Sequence, residues 1–556
     1  MDINSRGNTT DNTTGNVPRI RNLHPSQLSP ADYSYGAIPT GEEIPIERTT
    51  STFSERINDF VGSYSRTSMM FMAENLAVPN GPLLDDEDDK ISAISSSYNV
   101  SRIPSKTSVS RLSRIESGHG AGDTSEHASL LFSHLDKVLS TRSVGTVAED
   151  HRYDTHPIVV KKSSFTQSIF NSINILIGIG ILALPLGFKC AGWAIGLSVF
   201  VFCCGLTNYT AKLLQKCLDI DPESKTYGDM GALAFGLKGR IWVTALFITE
   251  LITSSVALVV LLGDGIDALF PGFNLVQIRI MSFVILTPML FFPVRHLSYT
   301  SLLGILSAFS IITVMIIDGL SKPDAPGSLI EPADTEIWPS NWMTVPLSFG
   351  LIMAGFAGHA VFPTVYRDME NPKQYTKMVN WTYVATTIVY FGVAACGYLM
   401  FGSSTMQEIT QNIVSIPEYN QALNRFAVWL IAMNPIAKYG LTVNPVNLSW
   451  QIWLFKGTKV QDWCDRGTWR EPILTAIGKV CVSAFIVTLA YIIPGFDKVM
   501  SLLGAFFSFM ISGIFPLICH VILFRDNMPA SQKLLDHILI LIASVMAISG
   551  TAWSFL

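Results

Sequence analysis

The chain changes character near residue 163. Up to about residue 157, Ser, Thr, Asn, Asp and Gly are interrupted by scattered prolines, and no stretch combines length with sustained apolar periodicity. Such a segment has too little apolar surface to offset the entropy of ordering, so residues 1–157 are expected to be a disordered tail. Beyond it, apolar residues come in runs close to the ~20 that span a hydrocarbon core as a helix. Eleven segments can be read, near 165–188, 191–214, 241–262, 274–294, 297–318, 343–366, 380–401, 423–447, 473–495, 498–523 and 535–556. A soluble core helix is rarely apolar all round for so long. The expected fold is all-α and integral to the membrane, with eleven transmembrane helices in a domain covering 158–556.

Composition agrees, with 49% hydrophobic and 15% charged residues and a mean hydropathy of +0.37. The net charge of −5 averages two unlike regions and supports no polyanion-binding surface, so nucleic acid is not an expected partner. Of the eight cysteines, only Cys464 stands in a polar loop, and neither a disulfide framework nor a metal-ligand spacing is visible. The adjacent Cys203 and Cys204 read as helix packing residues. The chain opens without a basic and then apolar leader, so no cleaved signal peptide is expected, and the first membrane helix serves as the insertion signal.

Charge between the segments sets an orientation. With the N-terminus in the cytosol, the cytosolic loops carry fifteen Lys and Arg, from Lys212 to Lys533, against Lys189, Arg279, Lys322, Arg425 and Lys498 on the other side. Merging or splitting a segment scrambles this alternation. The sequons at Asn8, Asn12 and Asn99 then face the cytosol, and those at Asn208, Asn380 and Asn447 lie in or beside helices, so N-glycosylation is not expected.

Chemistry is expected where the helices are interrupted. The first segment reads Asn174-Ile-Leu-Ile-Gly178-Ile179-Gly180-Ile181-Leu-Ala-Leu-Pro185, with two glycines and a proline inside an apolar run. Glycine loosens the backbone, and proline lacks an N–H and clashes with the preceding turn. The sixth segment carries a second interruption, Gly355-Phe356-Ala357-Gly358-His359-Ala360-Val361-Phe362-Pro363. Segments one and six correspond if one to five and six to ten form two halves, and paired interruptions of this kind point to the site of an inverted-repeat transporter. The competing reading is close helix packing by small residues. Exposed N–H groups at the start of a half-helix suit a carboxylate, and exposed carbonyls at the end of another suit an ammonium or a coupling cation. A zwitterionic amino acid satisfies both. Asn174, Gly178, Ile179, Gly180, Ile181, Gly355, Phe356 and Gly358 are the candidate substrate-binding residues, with Phe356 placed either to cover a substrate or to pack.

Ionisable residues inside apolar runs are costly and normally face a partner or a wet cavity. Glu250 lies about ten residues into the third segment, and Lys438 near the middle of the eighth, so both are candidates for the central cavity and for pairing with one another. His359, whose ordinary pKa of about 6.5 falls between cytosolic and acidic-organelle pH, is the third coupling candidate. A histidine hydrogen-bonded to a carbonyl is its structural alternative. Asp264 and Asp267 read as solvated helix-end residues and Asp318 as another helix-end residue.

With these residues in place the chain resembles the amino acid/auxin permease family, especially fungal vacuolar neutral amino-acid transporters and vesicular inhibitory amino-acid transporters. The resemblance covers about 163–556. It rests on Asn174-x-x-x-Gly178-x-Gly180-x-Leu182-x-Leu-Pro185, Gly358-His359-x-Val-Phe362-Pro363-x-x-Tyr366 and Asn434-Pro435-x-x-Lys438-Tyr439-x-x-x-x-Asn444-Pro445. It implies a five-plus-five inverted repeat with broken helices one and six and an added eleventh helix. It implies no enzymatic step and no cofactor, and coupling to protons or, in some branches, sodium. In sodium-coupled relatives an asparagine of the first helix and a hydroxyl of the eighth stand near the ion. Asn174 matches the first; at the eighth this chain has Asn434 and Lys438 in mid-helix, with Thr442 further along.

The expected function is secondary transport of neutral amino acids across a vacuolar or lysosome-like membrane, driven by proton antiport. The expected partners are the amino acid, protons and membrane lipid. The alternatives are a plasma-membrane or sodium-coupled permease and an amino-acid receptor signalling through its tail. Glu126, Leu130 and Leu131 have the spacing of an acidic dileucine signal for a sorting adaptor, and serines between Ser105 and Ser117 flank Arg111 and Arg114 in the manner of kinase sites.

Overall fold

The computed structural model describes residues 162–556, except 222, 223, 225, 293–300, 456–459, 461, 462 and 465–468. The N-terminal tail, including the sorting candidates Glu126, Leu130 and Leu131, lies outside the described residues, as do the loop cations Lys225, Arg295, Lys456, Lys459 and Arg466.

The described residues are helical, and the single β-type contact among them pairs Ser163 with Met369. Helix α1 (Phe165–Leu176) starts with a capping box, in which the Ser164 amide donates to the Gln167 side chain at 2.9 Å and the Gln167 amide to the Ser164 hydroxyl at 3.4 Å. A 3₁₀ stretch, Ile179–Ala183, leads into α2 (Leu184–Leu218), whose first turn holds Pro185, where its missing N–H costs nothing. Then follow α3 (Tyr227–Leu269), capped by Thr226 and Asp229, α4 (Leu275–Leu286) and α5 (Ser301–Ser321). Helix α6 (Val345–Gly355) is separated by an irregular turn and a 3₁₀ turn from α7 (Phe362–Asp368). Helices α8 (Tyr375–Phe401), α9 (Ile409–Ser415), α10 (Gln421–Phe455) and α11 (Arg470–Ile492) come next. Helix α12 (Phe496–Leu502) widens into a π-helical stretch, Leu503–Ile514, and continues as α13 (Phe515–Leu523) before the last helix, α14 (Ala530–Ser554).

Among the described residues eight helical stretches are long and apolar enough to cross a membrane, and Leu275–Phe291 and Leu306–Ser321 are shorter apolar helices. The chain is a multi-pass, all-helical membrane protein. One of the eight, Ile179–Leu218, is continuous where the sequence reading separates two segments, and only Gly192 (φ 68°, ψ 174°) departs from helical geometry inside α2. A Cβ there would stand 2.9 Å from the Ile337 carbonyl oxygen, so the corner needs glycine.

Burial divides the helices into two kinds. In α11 only 17% of the apolar window is buried, and in α14 only 28%, so side chains such as Ile477, Phe485, Leu541 and Ile548 face outward, as lipid contacts would. The core instead lies where α2, α6, α8 and the π-helical stretch meet, around Phe188, Phe200, Phe356, Tyr390 and Phe509. At one end of this core the start of α1 is tied to the end of α7. The Ser163 amide donates to the Asp368 carbonyl at 2.8 Å, the Glu370 amide donates to the Ser163 carbonyl at 2.9 Å, and the Ser163 hydroxyl donates to the Asp368 carboxylate.

Candidate functional site

Both interruptions fall where the glycine and proline pattern puts them. After Leu176 the chain leaves helical geometry at Ile177 (φ −70°, ψ 81°) and Gly178 (φ −106°, ψ −161°). After Gly355 it does so through Phe356, Ala357 and Gly358, the last at φ 134°. A Cβ on Gly358 would be strained at that φ and would lie 2.9 Å from the Ile175 side chain. The two breaks also touch: a Cβ on Gly180 would stand 3.0 Å from the Ala354 carbonyl oxygen and 3.1 Å from the Gly355 Cα. Gly180 therefore sits at a close approach of two backbones, where any side chain would press on the second break.

A cavity of about 170 Å³ opens beside this crossing. Gly178, Ile179 and Gly180 border it from the first break, and Ala354 and Ala357 from the second. Glu250 and Ser254 of α3, Lys438 and Thr442 of α10 and Ser508 of the π-helical stretch supply its polar wall. The cavity is smaller than the roughly 300–1,000 Å³ typical of drug-sized ligands, which suits a small solute.

Of the residues singled out in the sequence, the cavity thus brings together Gly178, Ile179, Gly180, Glu250 and Lys438. Both ionisable side chains are half-buried and share this wall, yet the ion pairs among the described residues, Arg240–Asp229 and His520–Asp536, do not include Glu250 with Lys438. The lysine instead packs on α5: a Cβ on Gly304 would stand 3.1 Å from its Cε and 3.3 Å from its Nζ, and 3.4 Å from the Asn434 amide oxygen. The missing side chain at Gly304 makes room for the ammonium.

The remaining candidates sit behind the cavity wall. Asn174 and Ile181 are buried in the core, and neither they nor Gly355, Phe356 and Gly358 line the cavity. Phe356 is enclosed by aromatic rings, edge-on to Phe200 and Tyr390 at 5.4 Å each and parallel to Tyr383 at 6.4 Å, and is packed among them. His359 is fully buried, with Nε2 2.9 Å from the Thr207 carbonyl and 3.1 Å from the Thr210 hydroxyl. A carbonyl can only accept, so Nε2 carries the hydrogen, and the ring joins the second break to α2.

Two acidic residues depart from their sequence reading. Asp267 is exposed as expected, but Asp264 lines a separate cavity of about 480 Å³ with Gln407, Gln411 and Gly495, and it hydrogen-bonds to the carboxyl group of Glu408. Burial, reinforced by the negative charge of Asp264, holds Glu408, in the turn before α9, well above the usual carboxylate range. Asp318 is in the last turn of α5, as a helix-end residue would be, but it is buried. All eight cysteines are free, and among the described residues no group of three or more His, Cys, Asp or Glu is placed to hold a metal ion.

Sequence reasoning did not single out Ser254 or Ser508. Ser254 sits one turn after Glu250 and on the same helix face, so an i to i+4 search from the buried acid would have found it. Ser508 had no such signal, because a π-helical register moves side chains off the 3.6-residue period.

A family model described as transmembrane amino acid transporter protein matches residues 161–556. This chain belongs to the transmembrane amino acid transporter family. Within that family, amino acid transporter AVT1B of Arabidopsis thaliana is 32% identical over 432 residues, covering 73% of this chain and 76% of the relative. Amino acid transporter AVT1C of the same plant is 31% identical, covering 73% and 72%. Among solved structures, the chain is similar to MhsT in complex with L-phenylalanine (TM-score 0.42, 12% identity, 70% of this chain and 98% of that one). It is also similar to the inward-facing conformation of Mhp1 (TM-score 0.43, 12% identity, 73% and 93%). At these scores the structural likenesses add nothing to the assignment, which rests on the family match and the plant amino-acid transporters. Family membership makes the cavity at the two breaks the candidate amino-acid site.

Proposed function

We propose that this transmembrane amino acid transporter family member moves neutral amino acids across a vacuolar, lysosome-like membrane by proton-coupled antiport and alternating access. In this reading the chain crosses the membrane eleven times with a cytosolic N-terminus. Spans one to five and six to ten form inverted halves, and the eleventh lies outside them. The tail carries the adaptor signal Glu126, Leu130 and Leu131 and tolerates removal.

The observation that carries the proposal is the convergence of both helix breaks on one small cavity that also holds a carboxyl group and an amine. The N–H groups that follow Gly178 belong to the start of a half-helix and suit the substrate carboxylate. The carbonyls near Ala354 belong to the end of another and suit its ammonium. The cavity offers little room for a long charged side chain, which supports small neutral substrates. Lys438 disfavours a metal cation in the same space, because like charges repel strongly where the dielectric is low. Glu250 is the proton carrier in this reading, facing the cavity beside Ser254. His359 is a secondary coupling candidate.

The test uses purified full-length protein in liposomes, with labelled neutral amino acids and an imposed pH gradient in sodium-free medium. Uptake that collapses with the gradient and ignores sodium is the expected result. Uptake that survives loss of the gradient but vanishes without sodium would replace proton coupling by the sodium-coupled reading. Binding without counterflow would replace transport by the receptor reading.

A further inference from the structure

The ring of Tyr390, in α8, is fully buried, and its hydroxyl reaches both helix breaks at once. It lies 2.6 Å from the carbonyl oxygen of Gly355, the last residue of α6, and it also donates to the carbonyl of Leu176, the last residue of α1. The Gly178 backbone is a further hydrogen-bond partner of the same hydroxyl. Carbonyls at a helix end lack intrahelical donors and carry the negative pole of the helix. Here two such poles converge on one point, and what stands there is a neutral donor with a single hydrogen.

Oxygen atoms converging from unwound backbone and half-helix ends are the shell that coordinates a coupling cation in broken-helix transporters. We propose that the Tyr390 hydroxyl occupies the position of such a cation: it is a positioning residue that ties the two half-helix ends together and frees this transporter from a metal ion at that point. The inference deepens the proton-coupled reading above and rests on it. The side chain is anchored for this task. Its Cε2 would stand 3.2 Å from a Cβ on Gly355, and its ring meets Phe356 edge-on at 5.4 Å. The hydroxyl therefore cannot drift from the carbonyls while the breaks hold their shape. The Leu176 carbonyl also accepts from the Gly178 amide at 2.7 Å, so the Gly355 carbonyl, served by a shared phenolic hydrogen, is the less satisfied of the two and the one a cation would improve most.

The decisive variant is Tyr390→Phe, which keeps the ring and removes the hydroxyl. Uptake into liposomes under a fixed pH gradient would be compared in sodium, lithium, potassium and choline chloride. Wild type is expected to transport equally in all four salts. Tyr390→Phe should lose about tenfold in choline, the size of effect that one unmet buried hydrogen bond brings. Sodium or lithium should restore it severalfold and saturably, because either fits between the freed carbonyls. Tyr390→Met, which also lacks a hydroxyl and adapts to irregular space, is read in the same four salts should the phenylalanine variant not insert. A hydroxyl-free variant that equals wild type in choline, or stays equally low in every salt, overturns the inference while the transport reading stands. Sodium dependence of the wild type also overturns it. Absence of amino-acid uptake by the wild type in all salts would overturn the transport reading and this inference with it.

Discussion

At the first break Gly178, Ile179 and Gly180 border the cavity with their own backbone, while at the second only Ala354 and Ala357 reach it. Phe356 and His359 of the second break are turned away, into an aromatic cluster and onto α2. Similar sequence punctuation has thus opened the helix in both places, and the two openings are used differently. One presents backbone to the cavity; the other is braced so that its small residues form the facing wall. Gly/Pro punctuation reports where helical hydrogen bonding fails, but the direction in which each freed group points is decided by neighbours distant in sequence.

The largest effect is expected where the two breaks meet. Gly180→Leu puts a branched side chain where even a Cβ would be 3.0 Å from the Ala354 carbonyl, so uptake and counterflow should both vanish while the protein still inserts as a monodisperse species. Normal transport by that variant would reduce the first break to packing. Next come the cavity's ionisable pair. Lys438→Ala should lower gradient-driven uptake by at least tenfold, and Glu250→Gln should stop it while preserving part of the substrate-for-substrate exchange, which moves no net proton. Equal loss of both activities in Glu250→Gln would make this residue structural. The second break should respond differently: Phe356→Leu removes ring contacts that lie off the cavity, costing about 1–2 kcal/mol of stability with KM nearly unchanged. A KM shift of tenfold without loss of thermal stability would return Phe356 to the substrate site. The smallest effect is expected from deleting residues 1–150, which should leave transport in liposomes unchanged even where sorting in cells is altered.

The sequence discloses the helical membrane class and both breaks, because a long apolar run and a glycine next to a proline have direct backbone consequences. It also discloses Glu250 and Lys438, since a charge in such a run is rare enough to stand out. It discloses neither their separation nor the space left for the lysine by Gly304, because those depend on how α3, α5 and α10 are rotated. Phe356 shows the limit from the other side. Its position beside the break suggests a gate, yet Phe200, Tyr383 and Tyr390, contributed by α2 and α8, enclose it. Asp264 meets Glu408 for the same kind of reason: their partnership joins α3 to a turn far along the chain, and no local pattern encodes it.

The ties that shape the first helix also set a timetable for biogenesis. Ser163 meets Asp368 across 205 residues, and the Leu176 carbonyl meets Tyr390 across 214. At a synthesis rate of ~5–20 residues per second, the first helix waits roughly 10–40 s before its partners leave the ribosome. During that interval, the irregular turn at Ile177 and Gly178 has only the Gly178 amide on the Leu176 carbonyl and lacks the Tyr390 hydroxyl that later adds to it, in a solvent where backbone groups must be satisfied within the protein. The nascent first helix is therefore expected to enter the bilayer unbroken, with the interruption forming only when α8 docks against it. Crosslinking staged nascent chains between the first helix and α8 would reveal that moment as an abrupt change in reactivity once chains extend past Tyr390.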